Sequence, residues 1–209
     1  MTEKTGRKAG AYARPPLLPD EPERLEALGH YEIMDTPAEQ AYDDLTLLAS
    51  HICETPIALV SLVDADRQWF KSNIGLDTDE TQRDMAFCAH AIAAPETMIV
   101  SDTLQDERFQ FNPLVVEDPK IRFYAGAPLR VPDGHALGTL CVIDRVPRQL
   151  TADQQRALEA LSRQAVAQLE LRRQLAEVKR LGGLLPYCSS CGTLRTDLGD
   201  LCPACVRET

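Results

Sequence analysis

Two short stretches of this sequence are apolar at nearly every position, and they restrict the fold more than any other feature. They are residues 56–63 and residues 137–143. A strand with one solvated face alternates apolar and polar residues, so a continuous apolar run of this length indicates a strand covered on both faces. The sequence therefore predicts a sheet with protein packed against both of its sides.

Turn signals place further strands beside these two. Asp64-Ala65-Asp66 predicts a turn that leads into a returning strand over 68–72, and Asp133-Gly134 predicts the turn of a second hairpin. Residues 121–129 alternate apolar and polar side chains, and 98–100 form a short apolar run. Hairpins join antiparallel strands, so we expect a central antiparallel sheet.

Helical patterns precede, interrupt and follow the predicted strands, which indicates the α+β class. A short amphipathic helix is expected from Pro22 onward, a second after a capping box at Thr36–Glu39, and a third over 84–92. Another capping box at Thr151–Gln154 opens the longest helix, which ends at Gly182-Gly183. Its apolar spacing slips near 168–172, so we expect the first half to pack on the sheet and the second half to form a dimer seam.

Composition excludes several classes of partner and location. The net charge is −10. The first 19 residues are net positive, and the rest of the chain is net negative. An acidic body is a poor match for nucleic acid or for an anionic membrane. No secretory signal and no apolar segment of about 20 residues is present. The sequence therefore predicts a cytoplasmic protein.

The strongest chemical signal is a pair of CxxC motifs near the end of the chain, at Cys188, Cys191, Cys202 and Cys205. Seven cysteines, four of them in such pairs, favour a metal site in a reducing compartment over disulfides. Four thiolates suit tetrahedral, structural Zn²⁺ in a small ribbon. A redox dithiol pair and rubredoxin-like iron stay open as alternatives.

Five segments of the sequence resemble the GAF domains of bacterial signalling proteins: 35–76, 83–92, 99–115, 121–129 and 134–144. The resemblance covers about residues 22–175. It implies a mixed sheet with helices on one face, while loops and a short helix on the other face enclose a small-molecule pocket. The chain then divides into a disordered basic tail (1–21), the sensor domain (22–150), a helical connector (151–183) and a four-cysteine zinc knuckle (184–209).

The resemblance and the strand pattern together suggest a set of pocket residues. Arg122 and Tyr124 share one strand face and are expected at the pocket rim, whereas Phe123 faces the core. The alternative for each cysteine is a small buried hydrophobe, and His90 is equally compatible with a hydrogen-bonded helix histidine. The expected ligand-binding residues are Cys88, His90, Asp102, Arg122, Tyr124 and Cys141.

These observations favour a non-enzymatic sensor that binds a small ligand or registers a redox signal, and relays it through the long helix. We expect a homodimer and a signalling protein partner. One alternative is a thiol reductase of the free methionine sulfoxide class, using Cys88 and Cys141. Another is a zinc-organised interaction module.

Overall fold

A six-stranded antiparallel sheet organises the part of the chain that the computed structural model describes, residues 12–182. The strand order is β3-β2-β1-β6-β5-β4. Every pairing is antiparallel, as the hairpin signals predict and in contrast to the mixed sheet implied by the resemblance. The strands are β1 (Ile57–Val63), β2 (Arg67–Ile74), β3 (Glu80–Gln82), β4 (Met98–Val100), β5 (Phe123–Arg130) and β6 (Ala136–Asp144).

The two apolar runs become the central strands β1 and β6, and they pair directly with each other. Both are buried at every position, which confirms the prediction that protein covers both faces. Along β1, Ala58, Val60 and Leu62 enter one apolar cluster, whereas Ile57 and Leu59 enter a second cluster on the other side of the sheet. The pleat of a strand produces this division.

Helices of different size cover the two faces of the sheet. One face carries α1 (Glu21–His30), α2 (Gln40–Cys53) and the first part of α5 (Ala152–Gly182). The other carries α3 (Phe87–Ala91), α4 (Pro113–Val116) and the loops around them. α4 lies within residues 102–120, where two prolines and many acidic residues show no helical pattern.

The capping box predicted at Thr151–Gln154 is confirmed. The Gln154 amide donates to the Thr151 hydroxyl at 3.2 Å, and the Thr151 amide donates to the Gln154 side-chain oxygen at 3.0 Å. The box predicted at Thr36–Glu39 is wrong, since α2 begins at Gln40 without a side-chain cap. The buried ammonium of Lys71 recruits the oxygens of Thr36, Pro37 and Glu39 instead.

The single helix predicted over 84–92 is wrong in its first half. A 3-10 turn (Arg83–Met85) comes first, Ala86 is extended with φ −76° and ψ 126°, and α3 follows. The Arg83 guanidinium donates to the Glu21 carboxylate at 2.6 Å and to the Asp64 carbonyl at 2.8 Å. These bonds hold the turn against α1 and β1, so the helix starts only after it.

Contacts divide the chain into two units, Met1–Leu169 and Glu170–Thr209. In the first unit, α5 buries Leu158, Ala165 and Leu169, which agrees with the packing predicted for the first half of the helix. In the second unit, the described part of α5 exposes its large apolar side chains: Leu171 (49%), Leu175 (52%) and Val178 (64%).

Candidate functional site

Two thiols and a phenol meet between α3 and the sheet. The sulfur atoms of Cys88 on α3 and Cys141 on β6 lie 3.7 Å apart. The Tyr124 hydroxyl, from β5, donates to the Cys88 sulfur at 3.3 Å. The exposed fractions are 1% for Cys88 and 0% for Cys141 and Tyr124. We call these three side chains the dithiol cluster.

Two hydroxyls extend the dithiol cluster into the sheet. Thr139 Oγ1 lies 3.5 Å from the Tyr124 hydroxyl and 3.2 Å from Ser61 Oγ. Ser61 and Thr139 are register partners across β1 and β6. Neither residue was predicted to belong to the site. Each is the one polar residue within one of the two apolar runs, and this pattern could have marked them as functional.

Burial and hydrogen bonding shift the pKa of the Cys88 thiol in opposite directions. Burial on its own would raise the pKa of Cys88, but hydrogen bonds from Cys141, Ser61, Thr139 and Tyr124 outweigh it and hold that pKa below its usual value. Burial raises the pKa of Cys141, and the neighbouring Cys88 raises it further. Of the two neighbouring thiols, Cys88 is therefore the one whose hydrogen-bond partners better stabilise a thiolate.

Aromatic rings close the space over the dithiol cluster. The rings of Phe87 and Phe109 stack with centroids 4.1 Å apart, and Phe87 lies 5.2 Å from the Tyr124 ring. Gly126 leaves room for Tyr124, since a Cβ there would come within 2.1 Å of the phenol oxygen. Tyr124 is thus a buried member of the cluster rather than the rim residue that the sequence analysis expects.

A short N-terminal strap, residues 12–14, lies across the outer side of α3. The Ala13 amide donates to the Arg108 carbonyl at 3.2 Å, and His90 Nε2 lies 3.2 Å from the Ala13 carbonyl. Burial lowers the pKa of His90, against a smaller opposite effect of the Ala13 carbonyl. The strap belongs to the tail that the sequence predicts to be disordered over 1–21; residues 1–11 lie outside the described part.

The remaining predicted pocket residues, Asp102 and Arg122, bind backbone groups of α4 and of the loops on either side of it. The Arg122 guanidinium donates to the carbonyls of Val115 and Ile121 at 2.8 and 2.9 Å. Asp102 accepts the Leu104 amide at 3.0 Å, which forms a local turn. The structure therefore brings Cys88, Tyr124 and Cys141 together, and it gives Asp102 and Arg122 backbone partners.

A buried ionic cluster near the strap was not foreseen. Glu21 accepts hydrogen bonds from Arg24 at 2.5 Å and from Arg83 at 2.6 Å. Burial on its own would raise the pKa of Glu21, but these bonds overcome it and lower the pKa to about 2. The sequence did not mark this cluster, because Glu21 and Arg24 form an i,i+3 pair typical of an exposed helix face and Arg83 lies 62 residues from Glu21.

A separate surface depression of about 640 Å³ lies beside β2. Its lining includes Thr36, Asp43, Lys71 and Ser72 but none of the predicted pocket residues. Within residues 12–182, no group of three or more His, Cys, Asp or Glu side chains is placed to hold a metal ion. Cys188, Cys191, Cys202 and Cys205 lie outside the described residues, so zinc ligation stays a prediction.

Comparison with known proteins decides the family. Residues 37–169 match the family model of the GAF domain. The chain belongs to the GAF domain family. GAF domains are signalling sensor domains, and the match spans the sheet, α3, α4 and the packed part of α5.

One relative of this chain is a much longer protein. A cyclic di-GMP phosphodiesterase of Pseudomonas aeruginosa is 39% identical over 173 residues, which cover 82% of this chain and 30% of that protein. The chain thus spans less than a third of the length of this curated relative. In the described part of the chain, we find no helix with the length and apolar character needed to cross a bilayer.

Solved structures with the same fold have distant sequences. The GAF domain of an Acinetobacter phosphoenolpyruvate-protein phosphotransferase aligns with a TM-score of 0.54 at 15% identity, covering 79% of this chain and 98% of that one. A free methionine-R-sulfoxide reductase of Neisseria meningitidis aligns with a TM-score of 0.54 at 17% identity, covering 73% of this chain and 91% of that one. At these identities the likeness shows the fold alone.

Proposed function

We propose that this chain is a non-enzymatic sensor module whose GAF domain registers a chemical signal at the dithiol cluster and passes it on through α5. The observation that carries the proposal is the burial of two neighbouring thiols and a phenol beneath stacked rings. Such a cluster holds reactive groups without an open approach for a substrate.

Sustained turnover requires that substrate enter and product leave in every cycle, whereas a sensor needs its signal molecule to reach the cluster only once per switching event. Cys88 is 1% exposed and belongs to the same buried apolar cluster as Phe87 and Phe109. The strap contacts α3 through His90. Sensing requires only that the signal change the relative free energy of two conformations. A closed site therefore suits a sensor better than an enzyme.

The output element is α5, which starts on the sheet face opposite the dithiol cluster. Its first part is fixed by Leu158, Ala165 and Leu169, and the later apolar side chains Leu171 and Leu175 are exposed. The spacing of Leu171, Leu175 and Val178 is that of a coiled-coil seam. We propose that a second copy of the chain covers this stripe, and that the signal alters how the two helices pair.

The Pseudomonas relative suggests the pathway in which this sensor works. That relative is named a cyclic di-GMP phosphodiesterase, and the present chain corresponds to a fraction of its length. We propose that the GAF module regulates cyclic di-GMP turnover.

The test compares cyclic di-GMP levels in cells. A strain that lacks this chain is complemented with the wild type or with Leu175→Glu, which places a charge among the exposed apolar side chains of α5. The matched control is Gln174→Glu, at the adjacent exposed position. We expect the wild type and the control to restore the nucleotide level and Leu175→Glu to fail. A deletion that leaves the level unchanged contradicts the proposed pathway.

A thiol reductase is the second candidate, and the closeness of Cys88 and Cys141 favours it. Its test is turnover of free methionine sulfoxide with a dithiol reductant. Under our proposal, the wild type shows no turnover above that of Cys88→Ser. Turnover by the wild type that is lost in Cys88→Ser would show an enzyme and overturn the sensor assignment.

A further inference from the structure

Cys88 and Cys141 are adjacent in space although 53 residues separate them in the chain. They belong to different elements, and their sulfurs are already within 3.7 Å. A disulfide needs an S–S separation of about 2.05 Å, so the sulfurs need to approach by less than one atomic diameter. Bond formation therefore requires only a local movement of α3 toward β6.

Cys53 provides an internal comparison. It is buried at the end of α2, in the apolar cluster on the opposite face of the sheet. Burial raises the pKa of Cys53 to about 11, whereas the hydroxyls around Cys88 supply the donors that stabilise a thiolate. Burial alone thus makes a thiol inert, and the surroundings of Cys88 counteract that effect.

We infer that Cys88 and Cys141 are a modification site at which a small hydroperoxide produces a reversible intramolecular disulfide. The inference rests on the proposed function and names the signal: oxidation of this pair. Because Cys88 and Cys141 are 1% and 0% exposed, an oxidant reaches them only when the cover of the cluster opens locally, and a small hydroperoxide needs the smallest opening.

The reaction balances in two steps. The Cys88 thiolate attacks one oxygen of the hydroperoxide, the O–O bond breaks, and the departing oxygen takes a proton as water or alcohol; Cys88 is now a sulfenic acid. The Cys141 sulfur then attacks the Cys88 sulfur, the S–O bond breaks, and the departing hydroxide takes the Cys141 proton to form water. Two thiols are oxidised, one hydroperoxide is reduced, and a thiol reductant reverses the change.

The disulfide changes the packing over the cluster. Tyr124 loses the thiol or thiolate that accepts its hydrogen bond, and α3 becomes covalently attached to β6. Phe87 directly precedes Cys88 on α3 and stacks on Phe109, so a movement of α3 displaces the loop that carries Phe109. Cross-linking therefore changes the relative stability of two conformations, which is the requirement for a signal.

The test treats the full-length protein with hydrogen peroxide, quenches it, blocks free thiols under denaturing conditions and maps cross-linked peptides by mass spectrometry. We expect a peptide that joins Cys88 to Cys141 and disappears on treatment with dithiothreitol. Cys53→Ser should leave this product unchanged, while Cys88→Ser and Cys141→Ser should each abolish it. The four cysteines after residue 187 give separate peptides, so their oxidation does not obscure the result.

Recovery of Cys88 and Cys141 as blocked free thiols after oxidation of Cys53 or of the C-terminal cysteines would overturn the inference. The wild-type experiment alone decides this, so it does not depend on how well the serine variants fold. Such a result leaves the sensor proposal standing with another signal. Failure of the sensor proposal is recognised separately, by turnover of methionine sulfoxide that is lost in Cys88→Ser.

Discussion

At the scale of single residues, the character of the site depends on a few polar groups in apolar surroundings. Ser61, Thr139 and Tyr124 place three hydroxyls around the Cys88 sulfur. Each hydroxyl stabilises the thiolate, while burial opposes it. The balance between these effects sets how much thiolate is present near neutral pH.

Tyr124→Phe removes one of these donors at almost constant volume. Because hydrogen bonds to charged groups stabilise them, we expect the pKa of Cys88 to rise by roughly one pH unit. The measurement is the pH titration of the ¹³Cβ chemical shift of labelled cysteine, in which the Cys53 signal is the internal control. An unchanged Cys88 titration would show that the phenol does not act on the thiolate.

Glu21→Gln tests the buried ionic cluster. The pKa of Glu21 is about 2 in the folded protein against 4.5 ordinarily, so its contribution is present above pH 4.5 and is lost as the pH falls toward 2. We expect the variant to lower the free energy of unfolding by roughly 3 kcal/mol at pH 7, and by progressively less below pH 4.5. Urea unfolding at several pH values measures this, with the exposed Glu23→Gln as control. A loss that does not depend on pH would contradict the assignment.

Residue chemistry explains which parts of the site the sequence could predict. Cys88 and Cys141 were both expected in pocket-forming segments by the family resemblance, and their sulfurs lie 3.7 Å apart. Tyr124 was expected at the pocket rim, because the alternation of apolar and polar residues predicts which face of a strand a side chain lies on. It does not predict how much protein covers that face, and Tyr124 is 0% exposed. The cluster of Glu21, Arg24 and Arg83 was missed because the i,i+3 pair of Glu21 and Arg24 is common on exposed helices, and the distant Arg83 that completes it leaves no periodic pattern.

At the scale of elements, the sequence predicted what local rules determine. The continuous apolar runs gave β1 and β6, and the capping box at Thr151 gave the start of α5. The helix over 84–92 was wrong because Arg83 makes tertiary bonds that no local pattern shows. Where the predicted helix starts were wrong, tertiary hydrogen bonds of Arg83 and Lys71 determine the local backbone instead of helix propensity.

Ala13→Pro tests the role of the strap. Proline has no amide hydrogen, so the bond from Ala13 to the Arg108 carbonyl is lost, and we expect α3 to open more often. The measurement is the alkylation rate of Cys88, which should rise several-fold while that of Cys53 stays constant. Leu17→Pro, at an exposed position, is the matched control; equal rates in both variants would exclude a closing role for the strap.

At the scale of the whole molecule, a GAF domain continues into α5, and the four cysteines near the end of the sequence predict a metal site. The metal site is the part that rests on sequence alone. We expect native mass spectrometry to show one zinc ion per chain, which is absent after Cys188, Cys191, Cys202 and Cys205 are replaced by serine. Iron in place of zinc, or no metal with the four cysteines intact, would contradict this prediction.

The central claim is that chemistry at the dithiol cluster alters α5. Hydrogen exchange, measured by mass spectrometry on reduced and peroxide-oxidised protein, tests this most directly. The account predicts that oxidation changes protection in α3 and also in residues 152–169, and that Cys141→Ser abolishes both changes. Identical protection of residues 152–169 in the two states, with the disulfide formed, would contradict it.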